Sequence, residues 1–273
     1  MARNSNPVFT SATFQQQLKA GAAANAFETP SAQSLQDMYA APNPARMTMN
    51  DVLNRVLLMG AVVLVGGLAG WFAVNSMVAN GRDINVLWGL ASGAGIAALV
   101  IGLVNQFKRE ASPVLSLLYS VLEGFLLGTV SGVLDVVYPG IALQAVLGTG
   151  IVFAVTVFAF RSGRFRTTPK SRRVVTIAGF AFVGFLLVNG LLGFFTGHAL
   201  DTYSGWIGLA LGIVGVGMGA FFLVSDFEDI QRAVHSGAPK SFAWRCGFGL
   251  VLSIVWIYVE MLRLIAALRS LAD

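Results

Sequence analysis

The chain has 273 residues, of which 56% are hydrophobic and only 11% are charged, and its net charge is +5. A soluble domain carries roughly 25% charged residues, so this composition excludes an ordinary soluble fold and indicates a membrane protein. Cys246 is the only cysteine, which excludes an intrachain disulfide and a cysteine-cluster metal site, and the basic residues lie in short connectors rather than in a stripe, which argues against nucleic-acid binding.

The chain begins with a polar segment rich in Ala, Ser and Gln. This segment has too few large apolar side chains to build a core, and it lacks the early apolar run of a cleavable signal peptide. We therefore predict a disordered cytoplasmic tail over residues 1–46 and a membrane domain over residues 47–273. The sequence after Met47 leads into the first helix, and either Asn50 or Asp51 is a candidate N-cap residue.

Seven apolar runs follow the tail, and each is long enough to cross a hydrocarbon core of about 30 Å as a helix. Short connectors with Gly, Pro, Asn and charged residues separate them, which is typical of turns. The runs are 56–79, 86–106, 114–134, 141–160, 174–196, 204–225 and 245–268. The pattern predicts an all-α membrane protein built as a seven-transmembrane-helix bundle.

The distribution of Lys and Arg predicts the orientation of this bundle. Fifteen of the eighteen basic residues lie in the tail, at the start of the first helix, or around the connectors that follow the second, fourth and sixth runs. Basic residues accumulate on the cytoplasmic side of membrane proteins, so we place the N-terminus in the cytoplasm. Seven spans then put the C-terminus outside, whereas a re-entrant segment over residues 244–268 would put it inside.

Glycines four residues apart recur in the apolar runs. Small residues at this spacing let the backbones of two helices approach closely, so the pattern predicts tight packing faces within the bundle, and the alternative is a homodimer contact. The glycines concerned are Gly66 and Gly70, Gly89 and Gly93, Gly124, Gly128 and Gly132, Gly208 and Gly212, and Gly215 and Gly219.

Few ionisable residues fall within the apolar runs, and each is a functional candidate because a charge in the membrane is costly. Glu123 lies near the middle of the third run. It is either a cation or proton site in the bundle interior, or a protonated side chain that hydrogen-bonds a neighbouring helix.

Two further acidic groups lie on the last two helices. Asp226 and Asp229 are three residues apart and share a helix face, so they form either a pH-sensitive pair with oxygen ligands for Ca²⁺, or a solvated helix end beside Arg232. Glu260 and Arg263 have the same spacing, which suits an ion pair on one helix.

Catalytic patterns are missing from the sequence. Both histidines, His198 and His235, lie in connectors, and the common metalloprotease, hydrolase and phosphate-binding motifs do not occur. The four lysines lie outside the apolar runs, which excludes a retinal Schiff base. We therefore expect neither enzyme activity nor a cofactor.

Three segments near the end of the chain and one in the third run resemble the Bax inhibitor-1/YccA (transmembrane Bax-inhibitor-motif) family, in particular its bacterial branch with a long polar N-terminal tail. The segments are SDFEDIQR at 225–232, SGAPK at 236–240, WIYVEMLRLI at 256–265 and YSVLEG at 119–124. The resemblance extends over about residues 47–268.

This resemblance implies a seven-helix bundle with the last helix central, and a pH-sensitive Ca²⁺ leak across the bacterial inner (plasma) membrane. In bacterial members, two aspartates on the sixth and seventh helices form a latch that closes the pore. Asp226 matches the first of them, but Ser253 stands at the position of the second. The nearest acid on that helix is Glu260, two turns farther along on the same face.

The leading hypothesis from the sequence is therefore a pH-modulated leak channel with Ca²⁺ as the permeant ion. Asp226 is the proton sensor and gate with Asp229 in support, and Glu123 and Glu260 are carboxylates of the ion pathway. Three alternatives stay open for Asp226. It pairs with Asp229, it hydrogen-bonds Ser253, or it meets a basic gate partner at the end of the second helix, for which the candidates are Lys108 and Arg109.

An alternative function is regulation of a membrane protease or another membrane protein, with the polar tail as the contact. A third hypothesis, a proton-coupled transporter, lacks an inverted-repeat signal. Deleting residues 1–45 separates the first two functions. Ca²⁺ flux into liposomes survives the deletion if the protein is a channel, whereas regulation of a co-reconstituted protease is lost if the tail binds it.

Overall fold

The computed structural model describes residues 46–83, 85–108, 110–163, 166–196 and 200–272. Within these ranges the chain forms seven helices, each with a segment long and apolar enough to cross a membrane, as predicted. The helices are α1 Met49–Ala79, α2 Asn85–Phe107, α3 Pro113–Val137, α4 Ile141–Arg161, α5 Pro169–Thr196, α6 Gly205–His235 and α7 Phe242–Ala272. The predicted disordered tail up to residue 45 lies outside the described residues.

The helices extend beyond their apolar runs, most of all α1 and α6. α1 begins at Met49 rather than at 56, and α6 continues to His235 rather than ending at 225. Backbone hydrogen bonds continue where hydropathy falls, so the acidic segment after Ser225 stays helical. α7 is one continuous helix of 31 residues, which excludes a re-entrant break within it.

The N-cap of α1 differs from the prediction. Thr48 is the cap residue, and its side-chain oxygen accepts from the backbone N–H of Asp51 at 3.2 Å. The Asp51 carboxylate accepts in return from the backbone N–H of Thr48 at 3.0 Å. Asp51 is therefore the third-residue partner in a capping box, which satisfies two backbone donors rather than one.

The helices pack around α7, which is the most buried of the seven spans and contacts α1, α3, α4 and α6. The tightest helix pairs are α1 with α3 and α6 with α7, whereas α5 is largely exposed and packs mainly on α6. The central position of the last helix agrees with the expectation from the resemblance.

Glycines create the two tight helix pairs. A Cβ atom at Gly128 of α3 would overlap the carbonyl oxygen of Gly67 on α1, so only glycine fits there. On α6, a Cβ at Gly212 would lie 2.8 Å from the backbone of Leu264 on α7. The predicted packing faces are confirmed on α1, α3 and α6. The prediction was wrong for Gly89 and Gly93, because nothing lies within 4 Å of a Cβ built at either position.

The start of α1 and the connectors α2–α3, α4–α5 and α6–α7 lie at the same end of the bundle, which we call the basic end. There the backbone N–H of Met47 donates to the carbonyl oxygen of Ala238 at 2.8 Å, and Lys240 pairs with Asp51 at 3.3 Å. Arg245 of α7 donates to the carbonyl oxygen of Gln106 at 3.3 Å. These contacts hold the entry of α1, the end of α2 and the α6–α7 connector together.

Candidate functional site

The contact between Asp226 and Ser253 joins α6 to α7. The Ser253 hydroxyl donates to the Asp226 carboxylate over 2.5 Å, and Ser253 is only 8% exposed. Asp226 lies in the last third of α6 and Ser253 in the first half of α7, so both are nearer the basic end. Of the three alternatives for Asp226, the structure shows the hydrogen bond to Ser253.

Asp229, the predicted support for Asp226, has different partners from Asp226. It is about half exposed and pairs with Arg172 of α5 at 2.6 Å and with Arg232 on its own helix. The two aspartates share a helix face in sequence, but Asp229 pairs with cations where Asp226 pairs with a hydroxyl. Asp229 is thus part of an ion-pair network beside the Asp226–Ser253 contact.

Arg172 is the centre of that network. Its guanidinium donates to the Glu228 carboxylate at 2.8 Å, to the carbonyl oxygen of Ser225 at 3.2 Å and to the Thr167 hydroxyl at 2.6 Å. The Glu228 carboxylate also accepts from the backbone N–H of Thr167 at 2.8 Å and from its hydroxyl. The α4–α5 connector and the start of α5 are therefore fastened to α6 on both sides of Asp226.

Lys108, one of the two predicted basic gate partners at the end of α2, shows no ion pair with Asp226 among the described residues. The Lys108 side chain is exposed and forms no ion pair with any carboxylate in the part of the chain that the structure describes. Arg109 lies outside the described residues. Among the described residues, the cation from another helix that pairs with the acidic end of α6 is Arg172, which comes from α5 rather than from the α2–α3 connector.

Glu260 and Arg263 form a buried ion pair on α7, with 2.5 Å between Oε2 and Nη1. Both residues are at most 2% exposed. Arg263 also lies over the aromatic rings of Phe182 and Tyr203, at 5.7 and 5.2 Å from the ring centroids. The Glu260 carboxyl presses against Gly215 of α6, where a Cβ would overlap it. Glu260, predicted as a pathway carboxylate, is thus paired with Arg263 in the structure.

Glu123 is half-buried on α3, and no hydrogen bond or ion pair joins it to another described residue. Tyr119 and Leu127, one turn to either side on the same face, are both buried. The ring of Tyr119 packs edge-on against Phe248 of α7, with 5.1 Å between centroids. Since α3 and α7 run in the same direction, Glu123 lies four residues beyond this contact on α3.

The depth of Glu123 follows from the same contact. Ser253 is five residues beyond Phe248 on α7, as Glu123 is four residues beyond Tyr119 on α3. At about 1.5 Å per residue, Glu123 and Ser253 lie about 6 and 7.5 Å along their helix axes from the Tyr119–Phe248 contact. The free carboxylate of Glu123 and the Asp226–Ser253 contact therefore lie at a similar level of the bundle.

A large apolar cavity lies elsewhere in the bundle, with a volume of about 920 Å³. Its walls come from α1 and α4, and its floor comes from α3 and α7. Glu123, Asp226 and Glu260 are not among its lining residues. The three carboxylates proposed from the sequence for one ion pathway therefore do not share this cavity.

Sequence reasoning missed Thr167 and Arg172 as part of the site. In the sequence, Arg172 stands out only as one of the basic residues that indicate orientation, and no motif or spacing marks Thr167 as part of a site. The one available indication was charge complementarity, because the most basic connector, residues 161–173, precedes α5 while the acidic segment 226–229 ends α6. That indication names two charged segments but not the pairing within them.

A family model described as "Bax inhibitor 1 like" matches residues 6–270. The match covers nearly the whole chain, including all seven helices. No curated protein and no solved structure matches the chain.

Proposed function

The chain belongs to the Bax inhibitor 1 like family, and from this membership we propose that it is a Ca²⁺-permeable leak channel whose opening is controlled by protonation of Asp226. The observation that carries the proposal is the hydrogen bond from Ser253 of α7 to the Asp226 carboxylate of α6. This contact bridges the central helix and a neighbour near the basic end, where a change in helix separation would open or close a path. Glu123, at a similar level, supplies a carboxylate that attracts cations.

We also propose that the basic end faces the cytoplasm of a bacterial cell, with the protein in the inner (plasma) membrane. The proposal is supported by the concentration of Lys and Arg in the connectors of that end. The Asp226–Ser253 contact then responds to cytoplasmic pH.

The sign of the pH response follows from the replacement of a second carboxylate by a hydroxyl. Two carboxylates stay in contact only when they share a proton, because two negative charges at this distance repel. A hydroxyl needs no such proton, and it donates a stronger hydrogen bond to an ionised carboxylate than to a neutral one. Ionisation of Asp226 therefore closes this latch, and protonation at lower pH loosens it.

Other groups near Asp226 modulate this response without replacing it. Asp229 and Glu228 lie on the same helix, and Arg172 of α5 pairs with both of them. On α7, the Cys246 thiol lies two turns before Ser253. The charges of Arg172 and Arg232 together offset those of Glu228 and Asp229, so the protonation of Asp226 is the main change in charge at the contact.

We expect Ca²⁺ flux into liposomes, followed with an encapsulated Ca²⁺ dye, to rise as the pH on the basic-end side falls. In Asp226→Asn the pH response is lost, because the amide carries no titratable charge while its carbonyl still accepts from Ser253. A wild-type flux that does not depend on pH, or an Asp226→Asn protein with the full pH response, would contradict the proposal.

Ser253 provides the matched controls for this experiment. Ser253→Ala removes the donor, so flux should be high and nearly independent of pH. Ser253→Asp restores a two-carboxylate contact, so flux should now rise with increasing pH, the reverse of the wild type. Because reversal of sign is not a result of general destabilisation, it separates a gate from a merely structural contact.

A further inference from the structure

The 920 Å³ cavity forms a lateral groove between α1 and α4. Its lining comes from α1 between Val56 and Trp71, from α3 between Leu127 and Asp135, from the α3–α4 turn and α4 as far as Phe153, and from α7 between Val251 and Tyr258. The groove lies apart from the Asp226–Ser253 contact and from the buried Glu260–Arg263 pair.

The groove opens on the outer surface of the bundle. Its edges are formed by side chains that are themselves well exposed, among them Leu57 and Leu64 of α1 and Leu143 of α4, each at 60–70%. Both helices are membrane spans, so the surroundings of this opening are the hydrocarbon tails of the bilayer. An apolar groove in that position is continuous with the lipid-facing surface.

The chemistry of the lining suits a long apolar body. Aliphatic side chains and glycines make up most of it, and the Ser131 and Tyr258 hydroxyls, 2.7 Å apart, already bond each other. From Val56 to Trp71 the α1 wall rises about 22 Å, which exceeds the roughly 15 Å that one leaflet contributes to the hydrocarbon core. One acyl chain therefore fits along the groove.

The charged residue among the described residues that line the groove is Asp135, at the end beside the α3–α4 turn. Asp135 lines the groove there, and its carboxylate accepts from the backbone N–H of Gly140 at 2.8 Å. Arg269 of α7 donates to the carbonyl oxygen of Pro139 in the same turn at 3.0 Å, and no described carboxylate pairs with its guanidinium. A cation and an anion at one end of an apolar groove match the phosphate and amine of a zwitterionic phospholipid headgroup.

We propose that this groove is a binding site for one phospholipid, with an acyl chain between α1 and α4 and the headgroup at the α3–α4 turn. The bound chain packs on Val251 and Val255 of α7, which lie two residues to either side of Ser253. The lipid would thus support the central helix on the side away from α6. This site is independent of the proposed ion flux, since its test measures binding.

Two glycines allow the groove to be filled without disturbing the fold. A Cβ at Gly60 or at Gly150 meets nothing within 4 Å, although both residues line the groove. Leucine at these positions adds side-chain volume at the lining of the groove and also favours the helix over glycine. Gly89 of α2 has the same open surroundings but does not line the groove, so Gly89→Leu is the matched control.

The experiment uses the full-length protein in liposomes that contain a phosphatidylethanolamine with a diazirine on its acyl chain, followed by photolysis and peptide mass spectrometry. We expect saturable labelling of the facing sides of α1 and α4. In Gly60→Leu/Gly150→Leu the affinity should fall by about tenfold, the loss expected when about two methylene groups are displaced from an apolar site. Gly89→Leu should label like the wild type, and Arg269→Gln should weaken labelling by a zwitterionic lipid.

Three outcomes would overturn the proposal. Labelling that does not saturate and spreads evenly over the exposed faces of α2 and α5 would show ordinary boundary lipid only. Unchanged labelling in the doubly filled variant, at equal recovery of monodisperse protein, would place the lipid elsewhere. Protein–protein cross-links through α1 and α4 would show that a second copy occupies the groove.

Discussion

Gly128→Leu should prevent recovery of folded protein or lower its thermal stability more than any other single glycine substitution on α3. A Cβ at this position overlaps the backbone carbonyl of Gly67, and a carbonyl oxygen in a hydrogen-bonded helix cannot rotate away as a side chain can. Overpacking against movable side chains costs about 1–3 kcal/mol, so backbone overlap should exceed that range. Thermal unfolding in detergent, read by size-exclusion chromatography of heated samples, measures the effect.

Gly89→Leu is again the control for this substitution, because it makes the same chemical change where nothing lies within 4 Å. It should leave the midpoint of thermal unfolding unchanged or raise it slightly, since leucine is the better helix former by somewhat less than about 1 kcal/mol. Equal stability of the two variants would mean that α1 and α3 do not approach as closely as described.

Arg263→Met should destabilise the protein by about 3–5 kcal/mol, the usual cost of leaving one member of a buried ion pair without its partner. Glu260 is 1% exposed beside Gly215, and its carboxylate would lose the cation that pairs with it. The loss of the contacts of Arg263 with Phe182 and Tyr203 adds to the effect. The free energy of unfolding from denaturant titration in mixed micelles is the measurement.

The double variant Glu260→Gln/Arg263→Met tests the reason for that loss. Removing the stranded charge should recover a large part of the stability, as apolar or neutral replacements of buried ion pairs often do. Arg232→Met is the matched control for a cation, since its pair with Asp229 is exposed and worth at most about 1 kcal/mol. A double variant that is less stable than Arg263→Met would show that the charge of Glu260 is not the source of the cost.

Some contacts of the candidate site were predicted from the sequence and others were not. The resemblance singled out Asp226 and Ser253, but it left their contact as one of three alternatives. Spacing placed Glu260 and Arg263 on one helix face and correctly suggested their pairing, because residues three apart are neighbours in any helix. Spacing could not show that α5 and α6 bury this pair, and it wrongly grouped Gly89 and Gly93 with the packing glycines, since an identical pattern occurs on faces that meet no neighbour.

By itself the sequence determined the number of spans and their approximate bounds, because the transfer of each segment into a bilayer depends on the residues of that segment alone. Only the tertiary structure decided which groups meet across helices. Thr167 and Glu228 are 61 residues apart and Arg172 and Glu228 are 56 apart, and such contacts depend on how helices are rotated and placed around α7. The lateral groove belongs to the same class, because it exists only where α1 and α4 flank α3 and α7 without closing over them.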